Sequence, residues 1–368
     1  MTFAGQLRIG IMRRLSKLVA VFVVFGVLSI PISAQAVSIG QSCTRIGSKA
    51  TTVISGKRVN LVCKNIKQKK TTKKKWVRTT STTSTTSTTS TTSTTSTTST
   101  TVPPKDFVDS IESVESENAS LHRMTFSDGV VREYKLVLPA NYDPQVAYPL
   151  TIGLHGVGGT ASSTRNAMKL ESGLTPSIVA YPQGLSFGVG TSAAWNAGAC
   201  CEPATIIQPN DVRFISRLID NTQTQLRVDK SRVWAIGFSN GGMMAYRLAC
   251  EISDQITGVG VGSGSLSVGT CTPARKFSVI HIHGELDEDV PLNGGGPYRT
   301  RSATYSVESV ASAVGCTNDA AKASANIQVW QCPDSMEMKL IVDTNQGHDW
   351  NSNWTDIMAQ FLQSHPRS

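Results

Sequence analysis

The first 104 residues hold no aspartate or glutamate, yet they carry 16 lysines and arginines. The rest of the chain reverses that balance, with 19 basic against 26 acidic side chains. The net charge of +9 over 368 residues is therefore a property of the front and not of the body. An acidic body argues against nucleic acid as a substrate, because a phosphate backbone is held by a positive field.

Long apolar runs are also lacking. The longest, residues 18–30, has 13 members, where about 20 are needed to span a bilayer. It follows Arg8, Arg13, Arg14 and Lys17 and precedes Ala34-Gln-Ala36, the order of a signal peptide cut after Ala36. An uncleaved anchor is the competing reading. Cys43 stands too far beyond the run to be a lipid-modified cysteine. Between 79 and 104 apolar side chains nearly vanish, and seven Ser-Thr-Thr repeats run from Ser81 to Thr101. Nothing there offsets the entropy of ordering, so the segment reads as an extended linker of the glycosylated-stalk type. The expected organisation is a signal peptide at 1–36, a small basic module at 37–78, the linker at 79–104 and a catalytic body at 105–368, all in a secreted protein.

No C-x-x-C pair and no His-x-x-x-His occurs, so no metal site is expected. Nothing points to a cofactor either. The eight cysteines then imply disulfides. Cys43 and Cys63 are the only pair ahead of the linker and should staple a module too short to rely on a core. Cys316 and Cys332 bracket a hairpin-like insertion. Three pairings are open to Cys200, Cys201, Cys250 and Cys271; Cys250 with Cys271 is favoured, which leaves a vicinal Cys200–Cys201 bridge. The basic module could adhere to anionic cell wall, polymer or membrane surfaces through its field, against the alternative of a solvated segment with no ligand. The oligomeric state is left open.

What the body does contain is a serine in a demanding context. Gly-Phe-Ser-Asn-Gly at 237–241 lies between an apolar strand-like run and a Met/Ala/Leu-rich helical run. A serine hydroxyl attacks a carbonyl only if it projects from a tight turn, and glycines at both ends leave room for one. The acid and the histidine of such a site follow in the chain. A carboxylate-rich loop at 285–291 ends one strand run and supplies the acid. Of the six histidines, His122 and His155 precede the serine, His281 and His283 lie within a strand, and His365 is terminal. Only His348 has both the order and a loop position. The glycine-rich run at 153–159 offers the Val157 amide as one oxyanion donor, the other coming from Asn240. His155, in that run, reads as a bracing residue rather than a base.

Leu-His-Gly-Val-Gly-Gly at 154–159, Trp195-Asn196 with Cys200-Cys201, the serine motif, His283-Gly284 with Asp287 and Val290-Pro291, and Gly347-His348 with Trp350 form an ordered set. As a set, they resemble the poly(3-hydroxybutyrate) depolymerase/feruloyl esterase family of secreted α/β-hydrolases over about residues 120–362. The resemblance implies ester hydrolysis by Ser239, Asp287 and His348, with the acid on Asp287 rather than Glu285, Glu288 or Asp289. One departure is Asn351, where the family commonly has proline. Feruloyl or acetyl esters of polysaccharide and polyhydroxybutyrate are rival substrates, and a serine peptidase or a wall-binding protein on an inactive scaffold are the alternatives. Short apolar runs alternating with helical stretches predict an α/β fold with a mostly parallel, doubly wound sheet. No lid is evident, so the cleft would suit a bulky or polymeric ester. Trp195 and Trp350 are candidates for its walls or for plain core.

Overall fold

The short apolar runs that alternate with helical stretches between residues 134 and 342 lie side by side as strands of one sheet. The computed structural model describes residues 49–54, 57–68, 71–78, 106–116, 118–173, 176–186, 192–317 and 321–367. The signal peptide, the linker and the Cys43–Cys63 pairing fall outside them.

Toward the N-terminus, β1 (Lys49–Ile54), β2 (Lys57–Gln68) and β3 (Thr71–Arg78) form an antiparallel sheet in which Lys64 is registered against Lys75. The body is built on eleven further strands: β4 (Phe107–Ser116), β5 (Ala119–Phe126), β6 (Val131–Val137), β7 (Tyr148–Leu154), β8 (Ile178–Pro182), β9 (Val228–Phe238), β10 (Gly258–Gly262), β11 (Ser278–Gly284), β12 (Ala321–Ser324), β13 (Ile327–Gln331) and β14 (Glu337–Asp343). Their order is β12-β13-β14-β11-β10-β9-β7-β8-β6-β5-β4. The six strands from β14 to β8 are parallel, and both flanks are antiparallel. The parallel strands are covered on both faces, which is why β8, β10 and β11 are buried along their whole length while β6 alternates.

Helices cover the two faces. α1 (Ala161–Met168) and α6 (Asn353–Ser364) pack on Tyr181, Trp234, Ile236 and Ile282 through Met168, Trp354, Met358 and Phe361. α3 (Asp211–Gln225), α4 (Asn240–Glu251) and α5 (Ala303–Val314) pack on the residues between them, Leu150, Ile152, Ala235 and Val279, while α2 (Ala204–Ile207) is one turn ahead of α3. Asn210 caps α3 by accepting the Arg213 N–H at 3.0 Å, and α5 stops at Gly315 in the left-handed region.

The β4–β5 hairpin does not carry the short apolar runs that predict the other strands. Its apolar residues Val108, Ile111 and Val114 recur every third position and are all exposed on the edge strand of the sheet, and β-bulges interrupt the register between Ile111 and Ser113 and again before Ser116. The period of two that marks a strand is thereby lost. The Cys316–Cys332 and Cys250–Cys271 bridges form, as does the vicinal Cys200–Cys201 bridge, and β12 with β13 is the hairpin that Cys316 and Cys332 close.

Candidate active site

β9 runs straight into α4 through Ser239, whose backbone stands at φ 55 and ψ −123. That conformation is strained for an L-residue and is held by its surroundings. The Ser239 N–H donates to the Gly262 carbonyl at 2.9 Å, and the Ser239 carbonyl accepts from Met243 at 3.0 Å. Two glycines make the turn possible. A Cβ at Gly237 would lie 2.2 Å from the Gly241 carbonyl oxygen, and one at Gly241 would lie 2.2 Å from that of Leu154. Ser239 occupies the N-cap of α4 but makes no capping bond with its side chain. Its hydroxyl is turned the other way, 2.9 Å from His348 Nε2.

His348 Nδ1 lies 2.7 Å from Asp287 Oδ2. Asp287 is the one buried carboxylate of its loop; Glu285, Glu288 and Asp289 are exposed. Burial works against its charge, yet the hydrogen bonds from His348 and from the Val290 N–H prevail and hold its carboxyl below the ordinary range. The acid loop and the histidine loop are tied together, since Glu285 N–H donates to Asp343 and Leu286 N–H donates to Gln346.

The β7–α1 turn approaches the serine closely: a Cβ at Gly156 would lie 3.3 Å from Ser239 Cβ. Val157 follows and lines a cavity of about 240 Å³ with Ser239 and His348. The Cys200–Cys201 bridge, Phe238, Met243, Asp289 and Tyr298 complete its walls. Asn240 is fully buried, and its side chain is clamped to the Trp195 backbone, with Trp195 N–H donating at 2.7 Å and Asn240 Nδ2 donating back at 3.2 Å. That clamp fixes the amide that follows the serine.

Trp195 is thus no cleft wall. It is completely buried, donates its indole N–H to the His155 carbonyl at 2.9 Å, and packs on the His155 ring. Trp350 is half-buried and stands edge-on to Phe238 and Trp354, behind the cavity rather than in it. Trp350 packs against the core over Gly262, where a Cβ would lie 2.8 Å from its ring. His155 braces the turn as expected: Nδ1–H donates to the Gly156 carbonyl at 2.7 Å, and Nε2 accepts the Gly184 N–H at 2.9 Å. Burial first, then the nearby Arg132 charge, lower its pKa to about 4, so it is neutral. The cavity-lining residues that motif reading missed are Phe238, Met243, Asp289 and Tyr298. Phe238 and Met243 flank the serine in sequence and could have been found there; Tyr298 has no local signal.

A strand-serine-helix elbow at the carboxyl ends of a parallel sheet, with acid and histidine from later strand ends, defines an α/β-hydrolase. Residues 144–303 match the phospholipase/carboxylesterase family. The chain is 27% identical over 250 residues to feruloyl esterase B of Piromyces equi, a match covering 62% of this chain and 45% of that one. It is 34% identical over 179 residues to the "Probable feruloyl esterase C" of Aspergillus clavatus, covering 46% and 61%, and 32% identical over 167 residues to feruloyl esterase C of Emericella nidulans, covering 45% and 58%. The chain therefore spans less than two thirds of the length of these relatives. The resemblance read from the motifs holds on its feruloyl esterase side.

Proposed function

We propose that this protein is a secreted serine carboxylic-ester hydrolase acting through an acyl-enzyme. Ser239 attacks the ester carbonyl while His348, oriented by Asp287, takes the hydroxyl proton. His348 then gives that proton to the departing alcohol, and a water repeats the sequence to release the acid and restore Ser239. The Val157 and Asn240 amides receive the oxyanion. The observation that carries this reading is the unbroken chain from Asp287 through His348 to the hydroxyl of a serine at positive φ.

The favoured substrate is a feruloyl or acetyl ester on a polysaccharide. Relatives named feruloyl esterases support it, as do the Phe238, Met243 and Tyr298 side chains that line the acyl cavity. Turnover of p-nitrophenyl acetate, methyl ferulate, acetylated xylan and polyhydroxybutyrate film tests it. Release of 3-hydroxybutyrate alone would move the protein to the polyester side; amide cleavage would make it a peptidase; no turnover at all would make it a binding protein on an inactive scaffold. Export implies a mature N-terminus at Val37, which Edman sequencing of secreted material reads. The basic module at 37–78 gives the enzyme adhesion to anionic surfaces, so removing it should lower retention on anionic polymer at low salt and leave small-ester turnover unchanged.

A further inference from the structure

Three titratable side chains that this chemistry does not use lie in a line behind the acid loop. Tyr246 on α4 and His281 and His283 on β11 are all completely buried. Residues two apart on a strand share a face, so both histidines stand on the α4 side while Ile282 packs with the opposite core. The Tyr246 hydroxyl is 3.0 Å from His281 Nδ1, His281 Nε2 is 2.9 Å from His283 Nδ1, and His283 Nε2 is 2.7 Å from the Val290 carbonyl oxygen. Val290 in turn donates its N–H to Asp287 Oδ1 at 2.8 Å.

The position of every proton in this line follows from its last member. A carbonyl oxygen only accepts, so His283 donates Nε2–H to Val290. Burial, with the mutual repulsion of the two rings at His281, lowers the pKa of both imidazoles and keeps them neutral. A neutral imidazole has one N–H, so His283 Nδ1 accepts from His281 Nε2–H, and His281 Nδ1 accepts from the Tyr246 hydroxyl. Burial raises the Tyr246 pKa, so its proton is always there to give. Apolar side chains of the same size would fill this space without desolvating three polar groups. The line meets the acid loop at the Val290 carbonyl, and the same His283 Nε2 stands 3.6 Å from Asp287 Oδ2, beyond hydrogen-bonding distance.

We infer that Tyr246, His281 and His283 form a one-way hydrogen-bond chain that positions the catalytic acid, holding Val290 and through its N–H the carboxylate of Asp287. They are positioning residues, since none touches Ser239. The near end of the loop is tied by Glu285 to the end of β14 and by Leu286 to the histidine loop at Gln346; this chain ties the far end. The inference rests on the serine-esterase reading, so the experiment separates the two.

In the full chain, kcat and KM on p-nitrophenyl acetate are measured for wild type, Ser239→Ala, His283→Leu, His283→Gln and Tyr246→Phe, together with the low-field proton NMR signal of His348 Nδ1–H. His283→Leu should lower kcat about 100-fold with KM within about twofold, the cost of displacing a reacting group by about 1 Å. His283→Gln keeps a donor at the ε position and should recover to within about tenfold of wild type. Tyr246→Phe keeps the volume and should lower kcat about threefold while shifting the low-field signal. Equal losses in His283→Leu and His283→Gln would mean packing alone and would overturn the chain. If His283→Leu does not fold, an unchanged kcat and signal in Tyr246→Phe overturns it just as well. Turnover in wild type that Ser239→Ala abolishes upholds the esterase reading whatever these variants do, and the NMR signal reads the chain whatever the turnover is.

Discussion

Two Ser-His-Asp arrangements exist among the described residues, and their distances are nearly the same. Ser239 Oγ lies 2.9 Å from His348 Nε2, whose Nδ1 is 2.7 Å from Asp287. Ser120 Oγ lies 2.9 Å from His122 Nε2, whose Nδ1 is 3.1 Å from Asp109. The backbone separates them. Ser120 sits within β5, registered against Val114 on one side and Leu136 on the other, so its peptide groups serve the sheet ladders. Ser239 sits on a turn of positive φ at the head of a helix, with the Gly156–Val157 turn facing it and a cavity in front. The carboxylates differ too. Asp109 also accepts from the Tyr134 hydroxyl at 3.1 Å and from Asn221 of α3 at 2.9 Å, and His122 stacks on Tyr134. The second cluster is a polar strut that fastens the β4–β5 hairpin to the body. Three side chains at hydrogen-bonding distance are a common way to satisfy buried polar groups. A hydroxyl freed on a turn in front of a cavity is what Ser239 has and Ser120 lacks.

The largest expected effect breaks the symmetry between the serines. Ser239→Ala should lower kcat by about 10⁴-fold or more, and Ser120→Ala should leave it within about twofold, because Ser120 has no oxyanion site. Peptide mapping after fluorophosphonate treatment should find one adduct, on Ser239. An adduct on Ser120 would erase the distinction drawn here. The carboxylates come next. Asp287→Asn should cost about 10³ to 10⁴ in kcat by misorienting His348, whereas Asp109→Asn should cost about 1 to 3 kcal/mol of stability with little loss of turnover. Asp289→Asn, at the cavity wall, should act on KM; a kcat loss larger than that of Asp287→Asn would put the acid at the wrong residue.

Acid sharpens the contrast further. Asp287 is held below its ordinary pKa, so it contributes stability above about pH 4 that is lost as pH falls through the lower folded value. His155 works in another window. Its folded pKa of about 4 lies below the ordinary 6.5 of a histidine, so the unfolded chain binds a proton first and stability falls as pH drops from 6.5 toward 4, by on the order of 3 kcal/mol. Chemical denaturation across pH 4 to 7 should therefore show a slope that His155→Gln flattens. A slope unchanged in that variant would mean His155 is not kept neutral by the fold.

The sequence made the elbow, the order of acid and histidine, and the alternating core legible because each is a local pattern. Gly237 and Gly241 bracket one serine, and Val-Trp-Ala-Ile at 233–236 sends alternate residues to opposite cores. Choosing Asp287 among four neighbouring carboxylates needed a family resemblance, since burial decides it and burial is set by β11, β14 and the loop at 344–350 together. For Trp195 the sequence leaves wall and core equally open; its neighbours Asn240 and His155 are 45 and 40 residues away, and only the fold brings them together. The Ser120–His122–Asp109 strut was invisible for the same reason: Asp109 stands 13 residues from His122, and only the pairing of β4 with β5 brings them together.

The smallest expected effect concerns a wall that only one of the two serines has. Cys200 and Cys201 line the cavity before Ser239, but their bridge closes a loop of adjacent residues, which restricts the unfolded chain almost not at all. The Cys250–Cys271 bridge, 21 residues apart in sequence, should be worth about 3 kcal/mol. Replacing Cys200 and Cys201 together by serine should thus leave Tm nearly unchanged, while replacing Cys250 and Cys271 lowers it clearly. The vicinal change should instead raise KM for an aryl ester about fivefold, with kcat within about twofold, because a soft apolar wall becomes two hydroxyls. Turnover at Ser239 responds to this bridge through binding alone if the clamp of Asn240 on Trp195 holds the oxyanion amide. A fall in kcat without a change in KM would place the bridge in the support of that amide rather than in the wall of the acyl site.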